Sequence, residues 1–147
     1  MSVKIFSATM QKFGAPGSII QQSTHWSVLL RPAQPTLGAL VLIAHEPVQA
    51  FSALSTASFA ELQIVTGQIE STLKKAFQYD KINYLMLMMV DPEVHFHVIP
   101  RYAQDRQFNG LTFADAGWPG QPALDRINPT DDAINELLKK KLISCWE

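Results

Sequence analysis

Apolar and polar positions change period several times along the chain, and each change marks an element. "HWSVLLRPAQPTLGALVLIAHE" holds two apolar runs around a turn of Pro and Gly, which predicts a hairpin with strands near His25–Leu30 and Ala39–Ala44. The period then lengthens. Leu62, Val65, Ile69, Leu73 and Phe77 recur at spacings of three and four, one apolar face of a long helix, and Ser58 with Glu61 predicts its capping box. After Tyr79 and Asp80, "INYLMLMMV" and "VHFHVIPRY" are runs of strand length divided by the turn signal "DPE", so a second hairpin follows, with strands that read as central. Residues 103–129 are rich in Gly, Pro and Asp and read as a long loop. Thr130, Asp131 and Asp132 open a final helix over 130–146 favourably for its dipole, and Lys139, Lys140 and Lys141 close it. The elements add up to an α+β fold: an antiparallel sheet, a long helix packed across it and a C-terminal helix.

Composition narrows the function classes. A chain of 147 residues, 47% of them hydrophobic, is sized for one domain spanning 1–147, with no internal repeat. Lys and Arg number 12 against 13 Asp and Glu, a net charge of -1, so no basic face is expected for nucleic acid or an anionic membrane. An anionic ligand must then be held by local geometry. "MSVKIFSATMQKFGAPG" lacks the apolar core of a targeting signal, and no apolar run reaches the roughly 18 residues of a membrane span. The single Cys145 has no partner for an intramolecular disulfide and fits a reducing compartment. The expectation is a cytoplasmic protein.

The chemistry concentrates in "DPEVHFHVIPRY". Alternate residues of a strand share a face, so Glu93, His95 and His97 are expected on one side and Val94, Phe96 and Val98 on the other. A lone buried histidine is ordinarily a hydrogen-bonded structural residue. Two side by side cost the desolvation of both rings where Leu or Val would cost none, which favours a site. Spacing leaves two chemistries open. One is metal binding by Glu93, His95 and His97 with water, which lacks an obvious fourth ligand. The other is nucleophilic catalysis, in which a neutral histidine attacks phosphorus or an acyl carbon and its neighbour holds the developing charge.

"HFHVIPR" after "INYLMLMMVDPE" resembles the active-site strand of the histidine triad (HIT) family, whose pattern is His-x-His-x-His, two apolar residues and often Pro-Arg. "RPAQPTLGALVLIAHEPVQAFSAL" is similar to that family's nucleotide-side hairpin, and the resemblance covers 25–102. It implies a HIT-like fold, a homodimer and no obligatory metal or cofactor. Aligned on Pro100 and Arg101, His95 takes the middle position, the family's nucleophile, His97 the last, and Glu93 stands where the first histidine belongs. The implied function is hydrolysis or transfer of a nucleotidyl group from an ester, anhydride or phosphoramidate, through a nucleotidyl-histidine at His95. His97 would hydrogen-bond a phosphate oxygen, and Asn83 would help orient the site. The hairpin near Leu30, Arg31 and Gly38 would contribute to the base and ribose pocket.

Register bears on Asn83. A three-residue loop Asp91, Pro92, Glu93 pairs Met89 with His95 and Asn83 with Arg101, on the histidine face; a two-residue loop reverses it. Two departures from the family stand out. The usual longer connection with Gly and Gln is here only "VDPE", and Glu93 would raise the pKa of a nearby imidazole and repel phosphate, or orient a ring. Arg101 is a phosphate-binding candidate or a strand end. Trp118 in "GWPG" is a candidate stacking lid, with packing on its own domain the more ordinary reason for it. His25 and His45 read as structural or surface residues, and Met86, Met88 and Met89 as core or subunit interface. Beside the nucleotidyl reading stand two others: a metal-dependent enzyme using Glu93, His95 and His97, and a nucleotide-binding module with little turnover.

Overall fold

The two apolar runs of the first hairpin are buried at every position because both faces of the sheet they enter are covered. They form β2 (Trp26–Leu30) and β3 (Leu40–Ala44) in a computed structural model that describes residues 6–146. With β1 (Ile19–Gln22), β4 (Lys81–Leu85) and β5 (His95–Arg101) they make a five-stranded sheet in the order β1-β2-β3-β5-β4, every pair antiparallel. On one face Val28, Leu30, Leu40, Leu42 and Val98 pack against Val65, Ile69, Leu73 and Phe77 of the long helix, together with Leu138 and Leu142 of the last. On the other, Leu29, Val41 and Ile43 meet Met10 and Phe13, the latter capping a short helix α1 (Ala8–Lys12). The α+β architecture is therefore the expected one, and β1 and α1 are additions to it.

The long helix, α2 (Thr56–Phe77), presents the expected apolar face but starts earlier. Ser55 is its N-cap, accepting from the Ser58 amide at 3.1 Å. No Glu three residues on completes a box; Glu46, distant in sequence, accepts from the Ser55 amide at 3.0 Å, the Ser55 hydroxyl at 2.6 Å and the Ser58 hydroxyl. Hydrogen bonds from Ser55 and Ser58 hold the Glu46 carboxyl down at about 2. Glu61 is used elsewhere, accepting from the amides of Thr24 at 3.1 Å and His25 at 2.6 Å. Gly38, at φ +85°, is required by packing: a Cβ there would lie 2.8 Å from the Phe77 ring.

Three further expectations change. The turn "DPE" does not close a tight hairpin, because β4 ends at Leu85 and residues 86–94 leave the sheet before β5 begins. Register follows: Asn83 pairs with Ile99 and Leu85 with His97, rather than Asn83 with Arg101. The shift is two residues, which preserves the face, so Asn83 does lie on the histidine side. Residues 103–129 are not all loop, since β6 (Arg106–Phe108) and β7 (Leu111–Phe113) form a hairpin around Asn109 and Gly110 at φ 49° and 83°. In α3 (Asp132–Cys145) Asp131 is the N-cap, and the helix runs past Lys139–Lys141, which therefore lie within it. Lys139 donates to the Gly17 carbonyl at 2.8 Å. The reading of residues 1–17 as free of a targeting signal rests partly on 1–5, which lie outside the described residues. Among those described, no helix is long and apolar enough to cross a membrane.

Candidate functional site

His95 and His97 sit on β5 between β3 and β4, where Val41 and Leu85 are the cross-strand neighbours of His97. Both are buried, with ring centroids 5.3 Å apart and planes at 80°. The Phe13 ring, carried by α1, lies 5.6 Å from the His97 ring edge-on and 6.4 Å from the His95 ring. The two histidines line a cavity of about 350 Å³ with Lys12, Phe13, Arg31, Asp91 and Leu124, and Leu87–Val90 form one side of its wall.

The two rings differ in their hydrogen-bond partners. His95 Nδ1 lies 2.8 Å from the backbone carbonyl of Glu93. A carbonyl only accepts, so Nδ1 carries the hydrogen in this bond and the lone pair of the neutral ring is on Nε2. His97 has a buried Nδ1 with no hydrogen-bond partner. Burial, with Arg31 and His95 alongside, pushes its pKa down from 6.5 to about 4 against the opposing pull of Asp91. At neutral pH His97 is an uncharged ring with an unused polar atom beside a guanidinium. Lys12 is paired with Asp91 at 3.0 Å, so among the described residues Arg31 is the cavity's cation without an acidic partner. Arg31 donates to the Ala33 carbonyl at 2.7 Å, and among the described residues its Nε has no partner.

Glu93 departs from its expected place. It precedes β5, and its carboxylate accepts from the buried Thr9 hydroxyl of α1. The side chain lines a separate cavity with Phe6, Met10, Gln22 and His45. The alternation rule fails because Glu93 is not yet in the strand. Among the described residues no group of three His, Cys, Asp or Glu stands close enough to hold a metal ion, so the Glu93, His95, His97 ligand set is not assembled.

Asn83, Arg101 and Trp118 form a second cluster on the same sheet face. Arg101 donates to Asp115 at 2.7 and 3.1 Å and to Asn83 Oδ1 at 2.8 Å, which commits its guanidinium to protein partners. Trp118 lines a cavity of about 560 Å³ with Lys81, Asn83, Leu85 and Arg101 and is absent from the lining of the histidine cavity. Leu30 packs on the α2 side of the sheet, and Gly38 meets α2. Of the hairpin residues expected at the ligand, Arg31 alone lines the histidine cavity. His45 is structural in its contacts, with Nε2 2.7 Å from Ser27 Oγ and Nδ1 2.9 Å from the Thr24 carbonyl. Lys12 and Phe13 escaped the sequence reading because a five-residue helix leaves no periodicity to detect.

A central antiparallel sheet with a helix across it and paired histidines on one strand define an α+β protein with a histidine-lined cavity on one sheet face. The sequence profile of the HIT domain matches residues 13–104, and the chain belongs to the HIT family. Proteins of this family bind nucleotides and are generally nucleotide hydrolases or transferases. Among solved structures, a histidine triad protein from Sinorhizobium meliloti is similar at a TM-score of 0.75 and 19% identity over 95% of each chain. A hypothetical histidine triad nucleotide-binding protein from Sulfolobus tokodaii gives 0.68 and 18% over 93% of this chain and 88% of that one. A zinc-bound histidine triad protein from Mycobacterium smegmatis gives 0.61 and 16% over 92% and 91%. At these identities the likeness is one of fold. Comparison with curated proteins finds no significant match.

Proposed function

We propose that the chain is a nucleotidyl hydrolase or transferase with His95 as its nucleophile. The observation that carries this reading is the bond from His95 Nδ1 to the Glu93 carbonyl, which in the neutral ring puts the lone pair on Nε2, on a ring lining a cavity that also holds Arg31 and His97. Nε2 attacks the α-phosphorus, the bond to the leaving group breaks with its electron pair, and the leaving group takes up a proton from solvent. Water or another acceptor then cleaves the phosphorus–nitrogen bond and restores neutral His95. Arg31 supplies charge to the non-bridging oxygens, and a ring N–H of His97 facing the cavity donates a hydrogen bond to one of them. An arriving phosphate raises the pKa of His97. By the same family likeness the chain is a homodimer, which light scattering reads directly.

One observation favours the rival reading of a binding module with little turnover. The side chain at the position of the first triad histidine lines a different cavity, away from a leaving group bound beside His95. Intact-mass spectrometry after mixing with nucleoside phosphoramidates and dinucleoside polyphosphates separates the two. A nucleotidyl-sized adduct on the wild type and none on His95→Ala is the expected result. Nucleotide binding with neither adduct nor product would reject the transferase reading.

A further inference from the structure

The cavity bounded by Trp118 lies on the same sheet face as the histidines but shares no lining residue with theirs. Its wall is fixed by the fold. The buried Asp115 carboxylate accepts from Arg101 at 2.7 and 3.1 Å, from the Tyr102 amide at 3.1 Å and from the Gly117 amide at 3.2 Å, tying the Trp118 loop to the end of β5. The loop then closes on itself. The amides of Trp118 and Gly120 donate to the carbonyls of Asp115 and Gly117, and a Cβ on Gly117 would lie 2.9 Å from the Ala123 amide nitrogen, a contact that glycine alone avoids. The indole is therefore in place before any ligand arrives.

The donors of this cavity are unmatched. Arg101 is committed to Asp115 and Asn83. A guanidinium only donates, so Asn83 presents Oδ1 to it, at 2.8 Å, and the two Nδ2 hydrogens are left for another partner. None is supplied among the described residues, and the exposed Lys81 ammonium has no partner there either. Lys81 and Asn83 alternate along β4, which sets both on the cavity's side of the sheet. No Asp or Glu is among the lining residues. The cavity thus carries the unbalanced charge of Lys81 beside an amide donor, between apolar walls of Trp118, Pro119, Pro122 and Leu85. Its volume of about 560 Å³ suits a small organic molecule.

We infer that this cavity is a second ligand site, separate from the nucleotidyl chemistry, for a small aromatic carboxylate. The ring lies against the Trp118 indole and the two prolines, and the carboxylate is shared by Lys81 Nζ and Asn83 Nδ2. Each part of the ligand answers a part of the wall. A single negative charge balances Lys81, whereas a dianion leaves one charge uncompensated beside apolar surface. Two oxygens accept from the two donors, and a planar ring stacks on an indole that is already held.

The test is calorimetric titration of the full chain with naphthylacetate, with its neutral amide and with the cationic naphthylmethylamine. The acid is expected to bind about tenfold more tightly than the amide, and the amine not at all. Trp118→Leu, which keeps an apolar side chain without a ring, should weaken the acid about fivefold. Lys81→Gln, at an exposed position, should weaken it about threefold to fivefold. In NMR spectra the side-chain amide resonances of Asn83 should shift with the acid and stay in place with the amide. His95→Ala should leave Kd unchanged, which keeps the two readings apart: loss of naphthylacetate binding leaves the chemistry at His95 standing, and absence of an adduct at His95 leaves this site standing. Equal affinity for acid and amide, a Kd unmoved by Trp118→Leu, an Asn83 amide that does not respond, or weakening by His95→Ala overturns the assignment. Absence of binding at millimolar concentration overturns it outright, and a dimer by light scattering would then name a second copy as the cover of this cavity.

Discussion

His97 offers the sharpest test of the electrostatics. Its ring is 7% exposed, its Nδ1 has no partner and its pKa lies at about 4 against 6.5 for an unhindered imidazole. Between those values the unfolded chain binds a proton that the folded chain refuses, so stability falls as the pH falls through this window. Taken at face value the linkage gives about 2 kcal/mol lost between about pH 7.5 and about pH 5; the cavity opens to solvent, which screens part of the effect and leaves about 1 kcal/mol. Glu46, held at about 2, acts only below the ordinary carboxylate range and does not enter. His97→Leu removes both the titration and the orphaned nitrogen. In urea unfolding the variant is expected to be more stable than the wild type by about 1 kcal/mol at neutral pH, from loss of the unsatisfied polar atom. The gap should widen by about a further 1 kcal/mol at about pH 5. A gap that stays constant or narrows on acidification refutes the argument that burial keeps this ring neutral. The gain in stability should accompany a loss of nucleotidyl transfer, the usual exchange at a strained site.

Three other outcomes follow from the packing. Glu93→Gln keeps an acceptor for Thr9 and the backbone carbonyl for His95, so the pH profile of adduct formation should be unchanged; Thr9→Val should lower kcat about fivefold with little change in KM, and an altered profile in Glu93→Gln would mean that the carboxylate handles protons. Arg101→Met strands Asp115, whose side chain is 1% exposed, and is expected to cost about 3–5 kcal/mol in urea unfolding; a loss under about 1 kcal/mol would show that the pair is not holding residues 114–121 to the sheet. Gly38→Ala drives a Cβ to 2.8 Å from the Phe77 ring at φ +85° and should lower the thermal midpoint by about 1–3 kcal/mol in equivalent stability. An unchanged midpoint would show that α2 yields at this contact.

The elements legible from the chain were those with enough residues to show a period. β2, β3 and α2 announce themselves through apolar runs of five or a repeat over some twenty residues. α1 and β1 are too short for that, and the hairpin around Asn109 and Gly110 was masked by the Gly and Pro around it, although Asn-Gly is itself a hairpin signal. The capping of α2 by Glu46 could not be read, because the carboxylate arrives through tertiary structure rather than at the third helical position. The histidines were legible from their spacing and from the resemblance, and so was the face of Asn83. Their surroundings were not. Apolar residues such as Met86–Val90 read as strand by composition, yet leave the sheet, and with them the register moved by two. The polar network that takes Asn83 and Arg101 away from the histidines depends on Asp115, which nothing in the local sequence links to either.

The position where a family histidine gives way to glutamate looks from sequence like damage to the site, but the contacts divide the residue into two parts with different duties. The group that meets His95 is the carbonyl of residue 93, which any residue type supplies. Its side chain is therefore free to serve elsewhere, and it accepts from Thr9 of α1, the segment that also carries Lys12 and Phe13 to the cavity. On the proposed reading, glutamate at this position thus keeps the means of presenting His95 Nε2 while removing a donor to the leaving group. On that reading such a site attacks phosphorus without help in expelling the leaving group, so its rate should depend more steeply on leaving-group basicity than that of a site with all three histidines.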